Sequence, residues 1–85
     1  MDIPELPAYL DTRFPDVNLW HVWCQYCHRW HTHGAGGKDA NPMEFLGHRV
    51  AHCTRGGPYD ATGYRLVYGG LWQELPVTVR RRGLR

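Results

Sequence analysis

All three cysteines and all six histidines of this 85-residue chain lie between His21 and Cys53, with none in the first 20 residues or the last 32. No other feature restricts the fold as much. Cys24 and Cys27 form a C-x2-C pair, a spacing that can turn two sulfurs onto one ion without strain. Three thiols cannot close into a disulfide framework, and an odd count with one such pair points toward metal binding and away from a secreted scaffold. A chain of this length buries only about 60% of its unfolded surface, so its core is small and a staple is expected.

Zn2+ is the expected staple, since it takes four thiolate or imidazole ligands in a tetrahedron. Cys24 and Cys27 are the firmest ligands, Cys53 comes next, and the fourth place falls to His48 ahead of His52. The choice depends on how Asn41 to Cys53 folds. Asn41 as N-cap, Pro42 at the first helical position and Glu44 in the first turn make a good helix start. In a helix His48 and His52 are four residues apart on one face and can both reach the ion. In a strand they stand roughly 13 Å apart, and only one can ligate. Ending the helix at Leu46, with His48 to Cys53 extended, is the preferred alternative. His28, His31 and His33 are left over. They could serve a second metal or a general base, but support of the ligands or a polar surface is the plainer expectation.

Elsewhere the pattern is that of a small β-rich domain. Ile3, Leu6, Tyr9 and Leu10 are spaced as on a short helix near Glu5 to Thr12. Asn18 to Trp23 and His28 to His33 read as two strands of a hairpin with both thiols of the C-x2-C pair at its tip. Tyr64 to Tyr68 and Leu71 to Val79 read as a second hairpin turning at Gly69-Gly70, with Pro76 bending the last strand or placing it at an edge. Gly34 to Lys38 resembles a phosphate loop only superficially, because the G-x4-G-K-[ST] pattern is missing.

Charge is uneven. Residues 1–16 carry four acids against Arg13, whereas residues 17–85 carry nine basic groups against four acids. The surplus ends in Arg80, Arg81, Arg82 and Arg85, which read as an exposed basic tail able to contact nucleic-acid phosphates. Four tryptophans and five tyrosines are expected chiefly to fill the core. No apolar run approaches the roughly 20 residues of a membrane span, and the N-terminus does not resemble a signal peptide, so a cytoplasmic protein is expected.

The runs WCQYCHRWHTHG and GHRVAHC resemble a group of small, largely uncharacterised zinc-finger-like proteins of actinobacteria and their phages, which share C-x2-C, WH-x-HG and GHR-x-AHC elements. The likeness covers Trp23 to Cys53 and, weakly, the strand beyond. It marks Cys24, Cys27, His31, His33, His48, His52 and Cys53 as the matching positions. The residues around Lys38 to Leu46 are additional here, which favours the strand over a long helix in the segment that follows. The resemblance implies metal binding and carries over no activity.

The expectation is a small zinc-stabilised α+β domain, β-rich, with zinc-ribbon or zinc-finger-like hairpins and a short N-terminal helix, spanning residues 1–79 and followed by a basic tail at 80–85. Its expected role is non-enzymatic: a module, such as a phage regulatory factor, engaging nucleic acid or a host protein that processes it. No membrane and no small-molecule substrate is expected. Two alternatives stand beside it. One is a small metal-dependent nuclease or hydrolase with HNH-like chemistry, which would need Asn41. The other is a protein-only inhibitor or assembly factor.

Overall fold

The computed structural model describes residues 3–51, 53 and 57–84. Its frame is a five-stranded sheet made of β1 (Glu5–Asp11), β2 (Val17–Cys24), β3 (Arg29–Gly37), β4 (Gly47–Arg49) and β5 (Tyr64–Leu71), in the order β3-β2-β1-β5-β4. All neighbours are antiparallel except β1 and β5, which run parallel. Two short helices, α1 (Pro58–Thr62) and α2 (Val77–Arg82), and two 3-10 turns (Pro42–Phe45 and Trp72–Glu74) complete it. No helix among the described residues is long and apolar enough to cross a membrane.

The expected N-terminal helix is instead β1, the central strand. Ala8 and Leu10 are buried and Leu6 half-buried on one face, a period of two that a helical reading of the same residues hides. Pro7 is tolerated because pairing with β2 begins only at Ala8, opposite Val22, so its missing N–H interrupts no bond on that side. Pairing on both sides outweighs the local signal.

The β2–β3 hairpin forms as expected and is longer on its return arm. Asn18, Trp20, Val22 and Cys24 face the core while Leu19, His21 and Trp23 face the other way. The second expected hairpin is absent. Gly69 and Gly70 stay within β5, where the ladder to β1 slips so that Tyr9 pairs with Gly70. A Cβ on Gly69 would come within 2.8 Å of Pro7 Cβ, so this close approach of two strands requires glycine. The supposed last strand is a 3-10 turn followed by α2, with Pro76 at the N-cap. The boundary drawn between domain and basic tail after residue 79 therefore falls inside a helix.

Asn41 caps a helical turn, its Oδ1 accepting from Met43 N at 3.1 Å. That turn stops at Phe45 and a strand follows, although the strand covers only Gly47–Arg49. The sheet curls until its two edges meet: Arg49 on β4 donates to the Gly34 carbonyl on β3 at 3.1 Å. The inner face of this curl holds Trp20, Val22, Cys24, Tyr64 and Leu66, joined by Tyr59 of α1.

Candidate metal centre

Four donors converge on the inner face. One ligand atom from each of Cys24, Cys27, His31 and Cys53 lies within 4.8 Å of all the others. Cys24 is the last residue of β2 and fully buried, and Cys27 closes the turn that follows. That turn is held by the Cys27 amide donating to Cys24 Sγ at 3.4 Å and the His28 amide donating to the Cys24 carbonyl at 2.9 Å. His28 takes a positive φ of 54° to send the chain back into β3, a conformation that costs a non-glycine residue about 1–2 kcal/mol. His31 is the third residue of β3, opposite Val22, and so shares the face of Cys24.

Cys53 arrives from the opposite edge of the sheet. Beyond β4, Cys53 Sγ lies 3.7 Å from Cys24 Sγ and 3.7 Å from His31 Nε2. None of the three cysteines forms a disulfide. Burial, then the Cys27 and Cys24 thiols beside it, push the Cys53 thiol up to about 12. A bound cation would reverse that balance at Cys53. The group can hold one metal ion with four protein donors.

The imidazole in this group is that of His31, where the sequence favoured His48. His48 sits exposed on β4 and its Nε2 meets the Thr62 carbonyl at 2.9 Å. Once β4 is extended and paired with β5, His48 is committed to the sheet edge, opposite Arg65. His52 lies outside the described residues. The signal for His31 was present in the hairpin: with Cys24 opposite Arg29, alternation places His31 and His33 on the sulfur side.

Aromatic rings enclose the site. His33 Nε2 lies within hydrogen-bond reach of the buried Tyr64 hydroxyl, and Tyr64, Tyr59 and Tyr26 contact one another in an edge-on series. Burial and the nearby Cys53 raise the Tyr64 phenol above its ordinary range, so it remains a neutral donor. Of the histidines left over in the sequence reading, His33 thus pairs with a core tyrosine and His31 joins the donor group.

The outer face of the sheet holds a second constellation that the sequence did not reveal. Asp11 is fully buried and receives both Arg13 Nε (2.9 Å) and Arg13 Nη2 (2.8 Å), while His21 Nε2 donates to it at 2.8 Å. The hydrogen bonds from Arg13, against the opposing effect of burial and with help from His21, hold the Asp11 carboxyl far below the usual carboxylate range. The His21 ring lies 4.0 Å from that of Trp72, which in turn meets Trp30 at 4.9 Å. Trp30 also contacts Tyr9 and Trp23 and donates from Nε1 to the Val79 carbonyl of α2 at 3.3 Å. Long-range strand pairing creates this cluster, and no local motif announces it.

Of the arginines expected to meet nucleic acid, Arg80, Arg81 and Arg82 lie in α2 and Arg85 lies outside the described residues. Lys38, from the discounted glycine-rich run, donates to the Thr12 carbonyl and Asn18 Oδ1, which ties down the end of β3. Asn41, needed by the hydrolase alternative, is engaged as a cap. The chain matches no protein-family model, no curated protein and no solved structure.

Proposed function

We propose that this protein is a zinc-stabilised, zinc-finger-like binding module that engages nucleic acid, or a protein that processes it, and that its metal is structural. The observation that carries the zinc assignment is the spacing of the donors. Zn–S bonds of about 2.3 Å and Zn–N bonds of about 2.0–2.1 Å in a regular tetrahedron put sulfurs about 3.8 Å apart and sulfur and nitrogen about 3.6 Å apart. The separations of Cys53 Sγ from Cys24 Sγ and from His31 Nε2, two of the six among the donors, are each 3.7 Å, and all six fall within 4.8 Å. Four protein donors also fill a tetrahedral shell and leave no position for water or substrate, the pattern of structural rather than catalytic zinc.

The nucleic-acid part of the reading is supported by α2, where three consecutive arginines have no ion-pair partner among the described residues. A rigid basic helix gives a defined place for phosphate contacts. All four donors are among the residues that carry the resemblance to the actinobacterial and phage proteins, and that kinship belongs to the same proposal. So does a cytoplasmic setting, where thiols stay reduced.

Metal analysis of the purified chain tests the first part: one tightly held zinc per chain is expected, lost in Cys24→Ser and His31→Ala and retained in His48→Ala. Fluorescence anisotropy with labelled DNA and RNA tests the second. Binding should weaken steeply as salt rises and weaken further in an Arg80, Arg81, Arg82→Gln triple variant. Absence of binding at low salt rejects the nucleic-acid reading and leaves a protein partner.

A further inference from the structure

Where α2 meets the loop after β1, the structure forms a cleft of about 380 Å3 lined by Arg13, Trp72, Val77, Arg80 and Arg81. That volume lies within the roughly 300–1,000 Å3 range of small-ligand sites. Three guanidinium groups from two distant parts of the chain line it, and no carboxylate does.

The arginines are not equivalent, and their differences indicate what the cleft accepts. Arg13 is already ordered: its fork is bonded at both prongs to buried Asp11, itself fixed by His21, yet the side chain remains 51% exposed. Ordering a long side chain is a main cost of binding a charged group, and here the fold has met that cost beforehand. Arg80 Nε is buried and has no acceptor among the described residues. Arg80 also lines the cleft, and its guanidinium has no carboxylate partner among the described residues. Arg81 is exposed and free of acidic neighbours among the described ion pairs. With the single charge of Asp11 already engaged, a net positive charge faces an unfilled space beside an indole.

We propose that this cleft is a phosphate-binding site, with Arg13 as its preset wall and Arg80 and Arg81, which have no ion-pair partner among the described residues, as the two further contacts. Arginine suits this task because its planar fork matches phosphate oxygens. The phosphate can come from a nucleic-acid strand or from a free phosphorylated molecule. The inference deepens the nucleic-acid reading given above and rests on it only for the first of these sources.

The test titrates the metal-loaded full chain, at low salt, with inorganic pyrophosphate and separately with a short single-stranded oligonucleotide. Arginine Nε–Hε and indole Nε1–Hε1 NMR signals and calorimetry provide the readouts. Pyrophosphate should shift the Arg13, Arg80 and Trp72 signals and leave that of Trp20, on the opposite face, in place. Arg81→Gln and Arg80→Gln should each weaken both ligands by about tenfold, and should lower the salt slope for the oligonucleotide by about 0.7–1 per arginine removed. Arg65→Gln, an exposed change on β5 away from the cleft, should leave both affinities unchanged. If pyrophosphate binds with this sensitivity and the oligonucleotide does not bind, the cleft stands and the nucleic-acid reading falls. If the oligonucleotide binds but neither cleft variant weakens it and pyrophosphate causes no shift, the cleft is refuted and nucleic-acid binding survives elsewhere. If neither ligand binds, both are refuted.

Discussion

The two faces of the curled sheet are held by different means. On the inner face, residues from both edges converge on four donor atoms, so Cys24, Cys27 and His31 from one edge and Cys53 from the other depend on a single point. On the outer face, stability is spread over Tyr9, Trp23, Trp30, Trp72 and the Asp11–Arg13–His21 group. A fold with so small a core can concentrate its cohesion at one ion site or distribute it over aromatic contacts, and this one carries a candidate for the first on one side and the second on the other. The concentrated side should fail abruptly and the distributed side by degrees.

The largest effect should come from the inner face. A structural zinc contributes roughly 10–16 kcal/mol of apparent folding free energy, comparable to the whole stability of a typical domain at about 5–15 kcal/mol. Chelation, or Cys53→Ser, is therefore expected to abolish the cooperative thermal transition followed by near-ultraviolet circular dichroism. A chain that stays compact and cooperative without metal would erase the contrast between the faces. The outer-face counterpart is Trp30→Ala, which removes contacts to three aromatic rings and the bond to Val79. It should cost about 3–5 kcal/mol in denaturant unfolding while one zinc per chain is retained. Loss of zinc in this variant would show that the faces are a single unit.

A smaller outer-face effect should be visible in acid. Because the Asp11 carboxyl in the folded chain titrates far below its unfolded value of about 3.9, its contribution is complete above that value and is lost as pH falls toward the folded one. The stability gap between the wild type and Asp11→Asn, read by urea unfolding, should accordingly close as pH drops below about 4. A gap that is constant down to strong acid would mean that the carboxylate charge is not what matters. The smallest change returns to the metal turn. His28→Gly relieves a positive φ and should raise stability by about 1 kcal/mol with metal content unchanged. Destabilisation would give the His28 ring a part in the inner-face clasp.

The thiol half of the candidate centre was legible because C-x2-C is a local motif and because Cys53 was the only remaining thiol. The imidazole that the fold brings beside those sulfurs is that of His31, where His48 was expected. His48 looked suitable when the segment before Cys53 was considered alone, whereas the hairpin register, which fixes the face of His31, is a property of two strands. The same limitation explains β1. Its residues Leu6, Tyr9 and Leu10 fit one or two helical turns, and only the presence of β2 and β5 on either side decides for the extended form. The Gly-Gly pair in β5 was read as a turn because the close approach of Pro7 is a tertiary fact. The outer-face cluster gave no signal at all, since Asp11, His21 and Trp72 meet only after the sheet has assembled.

The placement of β1 has a consequence for biosynthesis. Of the five strands it is synthesised first, yet it is the middle of the sheet, and its parallel partner is synthesised last of the five: Glu5 must wait for Arg65. Such sequence-distant pairing is slow to form. A nascent or truncated chain ending before Tyr64 would contain every metal donor and still expose one open side of its central strand, a template for pairing with other chains. Metal capture by itself therefore does not protect this protein from aggregation. Protection comes only when β5 docks beside β1.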